Sequence, residues 1–232
     1  MSETTISTPH RRLAAHVARP SGDGPWPGVV VLHDIFGISQ VARDHAAWLA
    51  SEGFMAVVPD LFTGGGRIRC IRAIFRDVAA RSGPSFDEVN AVRDWLRDQD
   101  GCNGKIGVIG FCMGGGFALT LAGDEGFDAA AVNYGQVPAD IEAVLAGACP
   151  IVGSFGARDS SLKGAAARLE KAATAVGLAH DIKEYPRAGH SFMDPHQMLL
   201  PRLLKVLIGG YEAGAAADAK ARIIAFFRAH LA

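Results

Sequence analysis

The chain has 232 residues, a length that suits one substantial domain better than two. Its 23 Lys and Arg and 24 Asp and Glu residues give a net charge of -1, which leaves no basic surface for nucleic acid, and no apolar run is long enough to predict a membrane-spanning helix. Four cysteines without zinc-site spacing, and an N-terminal segment without the apolar core of a signal peptide, predict a single domain over 1–232 in the cytoplasm, without a metal or other cofactor.

Short apolar runs alternate with amphipathic stretches along the chain, as in proteins built from βαβ units. The first half is predicted to contain a strand at 28–32, a helix at 39–52 with Ser39 as its N-cap, a strand at 54–58, and a helix from Pro84 to about Arg97. Ser85 and Glu88 have the spacing of a capping box for the second helix. Residues 63–83, in which three glycines precede four arginines, are predicted to be irregular.

The second half continues the alternation. It is predicted to contain strands at 105–109, 129–134, 150–155 and 181–185, a small-residue helix after 110–116, a helix with Leu162, Leu169 and Val176 on one face, and a helix at about 216–231 with Ile223, Phe227 and Leu231 at helical spacing. This pattern predicts one α/β domain, a mostly parallel central sheet with helices on both faces. In such sheets ligands bind beyond the carboxyl ends of the strands, so reactive side chains are sought there.

The segment 110–114 reads G-F-C-M-G between the strand at 105–109 and the small-residue helix. This is the pattern of a nucleophile elbow with cysteine in the nucleophile position. The sharp turn exposes the central side chain, Cys112, and the helix N-terminus stabilises negative charge beside it. The backbone N–H of Met113 is then one donor to an oxyanion. The alternative is that Cys112 is an inert buried cysteine.

Two later residues complete a triad in the chain order that elbow enzymes use, which is nucleophile, acid and histidine. Asp159 follows the strand at 150–155, and His190 follows the strand at 181–185. His190 is predicted to take the thiol proton, and Asp159 to hold the imidazole tautomer. His33 also follows a strand, but it precedes the elbow in the chain. An aspartate in a loop is otherwise commonly a turn residue.

These motifs together resemble the dienelactone hydrolase (carboxymethylenebutenolidase) family, a cysteine-nucleophile branch of the α/β-hydrolase fold. The resemblance runs from about Pro27 to Leu231 and rests on C-M-G-G at the elbow, H-D-I-F-G at 33–37, V-P-D-L-F at 58–62 and G-H-S-F at 189–192. It implies a triad of Cys112, Asp159 and His190, with oxyanion donors at the backbone of Ile35 and Met113. Phe36, Ser191 and Phe192 are candidates for the substrate pocket.

Two positions depart from the pattern that the family implies. Asp34 stands where members that hydrolyse dienelactone usually have glutamate; it is predicted to approach Cys112 and keep the resting thiol neutral, or else to end the strand as a turn residue. The family's arginine shortly after the histidine is missing, and Asp194 lies in that region. The cluster Arg67–Arg76 could supply the charge for an anionic substrate, or it is a solvated helix face.

The apolar stretch 195–210 could line the pocket, cover it or form a dimer contact, although simple burial is favoured. The predicted function is hydrolysis of a small lactone or activated ester through a thioester acyl-enzyme, by a monomer or small homo-oligomer without nucleic-acid or membrane partners. Two alternatives stay open. One is a general carboxylesterase or thioesterase for neutral esters, favoured by the missing arginine, and the other is a non-catalytic thiol sensor or binding protein.

Overall fold

A central β-sheet organises the computed structural model, which describes residues 1–124, 126–195 and 210–232. Its strands are β1 (Ser2–Ser7), β2 (Arg12–Ala18), β3 (Trp26–Leu32), β4 (Met55–Pro59), β5 (Cys102–Phe111), β6 (Ala129–Asn133), β7 (Ile151–Gly156) and β8 (His180–Tyr185). Among the described residues they form one eight-stranded sheet in the order β1-β2-β4-β3-β5-β6-β7-β8. The strands from β4 to β8 along this order are parallel, and β1 and β2 are antiparallel to their neighbours.

Helices cover both faces of the sheet. They are α1 (Gln40–Ser51), α2 (Arg67–Ala80), α3 (Pro84–Arg97), α4 (Met113–Ala122), α5 (Ile141–Leu145), α6 (Ala165–Ala175) and α7 (Ala213–Leu231). All five residues of β6 are buried, and successive side chains of a strand point to opposite faces, so both faces of the sheet centre must be covered. The predicted α/β architecture is confirmed, and the six predicted strands are each found within a few residues of their expected bounds.

The first and the last of the predicted helices, α1 and α7, also form as expected. Ser39 is the N-cap of α1, where its hydroxyl accepts a hydrogen bond from the Ala42 N–H at 3.4 Å. Ile223, Phe227 and Leu231 of α7 are fully buried, as their spacing predicts. No helix within the described parts of the chain is long and apolar enough to cross a membrane.

Two local predictions are wrong, and one hairpin was not predicted. Residues 67–80 form the 14-residue helix α2, although an irregular segment was expected at 63–83. Ile71, Ile74 and Val78 recur at helical spacing on the less exposed side of α2, and most of its arginines lie on the other side, so the segment does have the pattern of an amphipathic helix. The N-terminal hairpin of β1 and β2 was missed because β1 is an edge strand in which only Ile6 is buried. The helix expected around Leu162 and Val176 is shorter, since α6 contains neither of them and Val176 is 44% exposed.

The expected capping box at the start of α3 is also wrong. Gly83 is the N-cap of this helix and Pro84 takes the first helical position. The Ser85 hydroxyl donates instead to Asp77 of α2 at 2.7 Å. The Glu88 carboxylate accepts two hydrogen bonds from Arg11, at 2.7 and 2.8 Å. The two residues with capping-box spacing therefore join α3 to other elements.

Candidate active site

The turn from β5 to α4 places Cys112 in a strained backbone conformation. Cys112 is the residue between the strand and the helix, with φ 55° and ψ -115°. A Cβ added to Gly110 would lie 1.8 Å from the Gly114 carbonyl oxygen, and one added to Gly114 would lie 2.2 Å from the Leu32 carbonyl oxygen. Side chains at either position would prevent the turn from closing. The local sequence thus forms the tight elbow that the pattern G-F-C-M-G predicts.

Three loops at the carboxyl edge of the sheet bring the predicted triad residues together. The Nε2 atom of His190 lies 3.0 Å from the Cys112 sulfur, although the two residues are 78 positions apart in the chain. The Nδ1 atom of His190 lies 2.6 Å from Oδ2 of Asp159. The second carboxylate oxygen of Asp159 accepts hydrogen bonds from the N–H and hydroxyl of Ser161, at 3.0 and 2.6 Å. Ser161 therefore orients the carboxylate that holds the imidazole.

The electrostatics of this group favour a protonated imidazole. Burial lowers the pKa of His190, but its hydrogen bonds with Asp159 and Cys112 outweigh burial and raise this pKa to about 10. Burial also raises the pKa of Asp159, and the hydrogen bonds from His190 and Ser161 reverse this, so the pKa of that carboxyl lies below its usual value. An imidazolium between a carboxylate and a sulfur atom is therefore stable in this site.

The segments that contain the two predicted oxyanion donors pack against each other. Met113 is the first residue of α4, so its N–H has no acceptor within the helix. A Cβ on Gly114 would also lie 2.8 Å from the carbonyl oxygen of His33, which shows that the turn after β3 packs against the start of α4. Ile35 belongs to this turn. The two predicted oxyanion donors, at Ile35 and Met113, therefore lie on packed neighbouring segments.

Asp34 and His33 hold the turn that contains Ile35. The Asp34 carboxylate accepts a hydrogen bond from the Phe36 N–H at 2.8 Å, the arrangement of an Asx turn. The Nε2 atom of His33 accepts a hydrogen bond from the Leu61 N–H at 3.2 Å, so its Nδ1 donates to the Asp34 carbonyl at 2.6 Å. Burial lowers the pKa of His33, in agreement with this neutral tautomer. The hydrogen bond described for the Asp34 side chain thus goes to the turn and not to the Cys112 thiol.

A cavity of about 430 Å³ opens on Cys112 and His190. Its wall is mostly apolar and includes side chains from α2, α4 and α5. The described lining residues are Phe75, Val78, Ala79, Arg81, Cys112, Met113, Gly116, Thr120, Tyr134, Gln136, Pro138, Asp140, Val144, Ser161, Leu162 and His190. This volume suits a small-molecule substrate.

The three predicted pocket residues lie outside this lining. Phe36 is 46% exposed, whereas Phe192 is completely buried and packs between Tyr134 and Tyr185, with ring centroids 5.5 and 5.0 Å away. Phe192 is therefore part of the core beneath the site. Ser191, with φ 54°, borders a small crevice that it shares with Asp34.

The arginines of the cluster Arg67–Arg76 line a different surface. They border an open depression of about 1190 Å³ on another side of α2 from the Cys112 cavity. Arg67, the first residue of α2, is also near enough to Asp34 for its charge to oppose the rise that burial causes in the pKa of that carboxyl. Arg76 is paired there with Asp77 at 2.7 Å. For the stretch 195–210, the positions 196–209 lie outside the described residues. Within the described part of the chain, no group of three or more His, Cys, Asp or Glu residues is placed to hold a metal ion.

Three cavity residues were not anticipated from the sequence. Tyr134 directly follows β6, with φ 40°, and its ring lies 5.5 Å from that of His190. A search of strand ends for aromatic residues, and not only for Cys, Asp and His, would have found it. Arg81 and Asp140 form an ion pair in the cavity wall, but they are 59 residues apart, and no sequence signal joins them.

Comparison with known proteins agrees with this geometry. The model of the dienelactone hydrolase family matches residues 13–231. The chain belongs to the dienelactone hydrolase family. A carboxymethylenebutenolidase of Pseudomonas sp. (strain P51) is 31% identical over 78% of this chain and 79% of its own. Another carboxymethylenebutenolidase, from Pseudomonas putida, is 27% identical over 87% of this chain and 85% of its own.

Solved structures show the same fold. The dienelactone hydrolase from Anabaena variabilis superposes with a TM-score of 0.74 at 20% identity, covering 100% of this chain and 98% of its own. A dienelactone hydrolase-like promiscuous phosphotriesterase from metagenomic libraries gives 0.80 at 22% identity, covering 100% and 98%. Family membership makes this protein a carboxylic-ester hydrolase that acts on small ester or lactone substrates, which overturns the alternative of a non-catalytic thiol protein.

Proposed function

We propose that the enzyme cleaves a lactone or activated ester by nucleophilic catalysis, with Cys112 as nucleophile, His190 as general base and Asp159 as the orienting acid. The observation that carries the proposal is the contact of 3.0 Å between the Cys112 sulfur and Nε2 of His190 at the wall of the cavity. A nucleophile within hydrogen-bond reach of a base, with the base oriented by a third group, is the arrangement that covalent catalysis requires.

In acylation, His190 takes the proton of the Cys112 thiol, and the sulfur then attacks the carbonyl carbon of the substrate. The C=O π electrons move to oxygen, and the N–H groups of Ile35 and Met113 stabilise this oxyanion. When the carbonyl re-forms, the C–O bond of the ester breaks, and the leaving oxygen takes the proton from His190. The product of this step is a thioester on Cys112.

Deacylation uses the same groups in reverse. His190 accepts a proton from water as the water oxygen attacks the thioester carbonyl, and the C–S bond then breaks. The carboxylic acid leaves, and the sulfur and His190 share the remaining proton as before. Asp159 stabilises the imidazolium in both steps.

Two substrate classes fit this mechanism. A cysteine nucleophile suits substrates with good leaving groups, and the enolate of a dienelactone-like lactone is one of them. A neutral ester is favoured by one specific observation, since the cavity cation Arg81 is already paired with Asp140. We further propose the cytoplasm as the compartment, because the four cysteines are free thiols, and a monomer or small homo-oligomer as the assembly.

The test uses a para-nitrophenyl ester with rapid mixing. The wild-type enzyme is expected to release a burst of para-nitrophenolate equal to the enzyme concentration, and iodoacetamide is expected to abolish both burst and turnover. Cys112→Ala should lose both, by a factor of about 10³ or more in kcat. The matched control is Cys70→Ala, which removes a buried cysteine that borders the arginine-lined depression, and which should keep the burst.

Two outcomes decide the proposal. A burst that survives in Cys112→Ala would contradict it. An acyl group found by peptide mass spectrometry on Cys112 of the quenched wild-type enzyme would support the thioester directly. Rates on a lactone that carries a carboxylate and on its methyl ester, measured side by side, would then separate the two substrate classes.

A further inference from the structure

An ion pair crosses the exposed part of the cavity wall. The Arg81 Nη2 atom donates to the Asp140 carboxylate, and both residues line the cavity that opens on Cys112. Arg81 ends α2 and Asp140 precedes α5, so the pair links two elements on the solvent side of the site. The side chains are 35% and 66% exposed, so a substrate that enters from solvent can reach both.

Neither residue is explained by the requirements of its helix end. Arg81 is the C-cap of α2 in the left-handed region, with φ 55°, where glycine would fit without strain. Asp140 is the N-cap of α5, but its side chain makes no capping hydrogen bond, although aspartate is among the best capping residues. The carboxylate is directed to Arg81 instead, so its described role is to compensate a cation in the cavity wall.

The pair sets the charge that an acyl group would meet. Among the described lining residues, the other titratable side chains are Cys112, Tyr134 and His190, which belong to the reacting end or border it. Among the lining residues that the structure describes, Arg81 is the one permanent cation and Asp140 is the one carboxylate. A substrate carboxylate that bound Arg81 would have to displace Asp140 and leave its negative charge unpaired beside it. An uncharged chain would meet no such penalty against Phe75 and Leu162.

We propose that Arg81 is an anion-recognition residue of the cavity that Asp140 keeps neutralised, so that the Arg81–Asp140 pair makes the enzyme select esters with an uncharged acyl chain. The proposal rests on the proposed function, because it assigns the acyl group to the Cys112 cavity. Asp140 repels anionic substrates and thereby makes the enzyme specific for uncharged ones. Arg81 and Asp140 take no part in bond breaking.

The experiment compares substrates that differ only in charge. They are the mono-para-nitrophenyl esters of glutarate, adipate and pimelate, each with its methyl-capped counterpart, and the readout is the ratio of kcat/KM for the free acid to that for the capped ester. Asp140→Asn is expected to raise this ratio by about fivefold for the best chain length, the effect of one exposed charge pair. The gain should appear mainly in KM.

Three variants make the result specific. Glu142→Gln, an exposed residue of α5 outside the described cavity lining, makes the same change in net charge and should leave the ratio unchanged. Arg81→Gln should lower the ratio, because Asp140 then repels the substrate carboxylate without compensation. The double variant Arg81→Gln with Asp140→Asn should lose the gain of Asp140→Asn.

The outcomes are distinguishable. For each variant, the burst amplitude on a neutral ester counts the active sites, and the melting temperature shows that the protein is folded. A ratio in Asp140→Asn within twofold of wild type, or an equal rise in Glu142→Gln, would overturn the proposal while the Cys112 burst still supports the mechanism. A failure of the burst in wild type would instead count against the proposed function.

Discussion

Helix α2 separates two concave surfaces, the Cys112 cavity of about 430 Å³ and an open depression of about 1190 Å³. Phe75, Val78 and Ala79 of this helix line the cavity, whereas Arg69 and Arg72 line the depression. The depression is the larger of the two and has more charged residues. Size and charge alone would therefore favour the depression over the cavity that contains the candidate triad.

The two surfaces differ in what their polar groups do. In the depression, the Glu88 carboxylate is fully engaged by Arg11, and Asp77 accepts hydrogen bonds from Ser85 and Arg76. These contacts join the N-terminal hairpin, α2 and α3, and they stabilise the fold. At the cavity, side chains from three strand-end loops form one line of contacts, from the Cys112 sulfur through His190 to Asp159. Convergence from rigid elements, and not volume, distinguishes a site that can do chemistry.

The largest expected difference between the two surfaces is the loss of activity when His190, and not His10, is replaced. His190→Gln should lower kcat/KM for an aryl ester by roughly 10²- to 10⁴-fold, because the base is lost while the amide keeps similar volume. His10, beside the depression, pairs with Asp87 at 2.7 Å, and His10→Gln should keep activity within about twofold. A loss of less than tenfold in His190→Gln would assign the base to another group.

The His190→Gln variant also tests the Cys112 site through the pH dependence of stability. The pKa of His190 is raised to about 10 from 6.5, so the protonated form is favoured by folding. Its contribution to stability is fully present below about pH 6.5 and is lost as pH rises through about 10. The free energy of unfolding, measured by urea denaturation, should therefore differ most between wild type and His190→Gln near pH 6. The difference should shrink by pH 10, and a constant difference would show that the imidazolium is not stabilised.

In the depression, the expected effect is on stability. The Glu88 side chain is only 5% exposed, so Arg11→Gln would leave a buried carboxylate without its partner. We expect a loss of about 3 kcal/mol in the free energy of unfolding, while kcat/KM per folded molecule stays within about twofold. Arg72→Gln is the control, because Arg72 is an exposed arginine of the same surface and should change stability by less than about 0.5 kcal/mol. A fall in kcat/KM of tenfold or more in folded Arg11→Gln would contradict this separation.

The sequence predicts the cavity much better than the depression, for a physical reason. Cys112, Asp159 and His190 lie one, three and five residues beyond the ends of their strands. Because the carboxyl ends of parallel strands meet at one edge of the sheet, chain order alone predicts that these residues lie close together. The elbow adds a local steric requirement that only glycine satisfies at 110 and 114. The fold of the central sheet is predictable for the same reason, since its strands are continuous apolar runs.

Features that depend on how helices pack could not be predicted in this way. The side of α2 that faces Cys112 is set by packing, so chain order alone does not decide between the two roles that were open for the cluster Arg67–Arg76. Phe192 lies two residues after His190 but enters the core, because the chain turns at Ser191, with φ 54°. The Arg81–Asp140 pair joins the ends of two helices, one of which has only five residues. Each of these depends on tertiary contacts that have no local pattern.

The smallest expected effect concerns Asp34, at the edge of the Cys112 site. The sequence predicts that its carboxylate restrains the thiol, whereas in the structure it accepts a hydrogen bond from the Phe36 N–H and holds the turn of Ile35. Burial raises the pKa of Asp34 above its ordinary value, although the hydrogen bond from the Phe36 N–H acts in the opposite direction. We expect the hydrogen bond to the turn to matter more than the charge of Asp34.

Asp34→Asn keeps an acceptor oxygen for the turn and removes the charge, while Asp34→Ala removes both. We expect Asp34→Ala to lower kcat by about tenfold, because the Ile35 N–H is no longer held toward the oxyanion, and Asp34→Asn to stay within about twofold of wild type. Alkylation of Cys112 by iodoacetamide at neutral pH measures the thiol separately, and both variants should react within about twofold of the wild-type rate. Faster alkylation of Asp34→Asn, with normal kcat, would show that the carboxylate restrains the sulfur electrostatically, as the sequence predicts. Equal losses of kcat in both variants would show that the charge, and not the turn, supports catalysis.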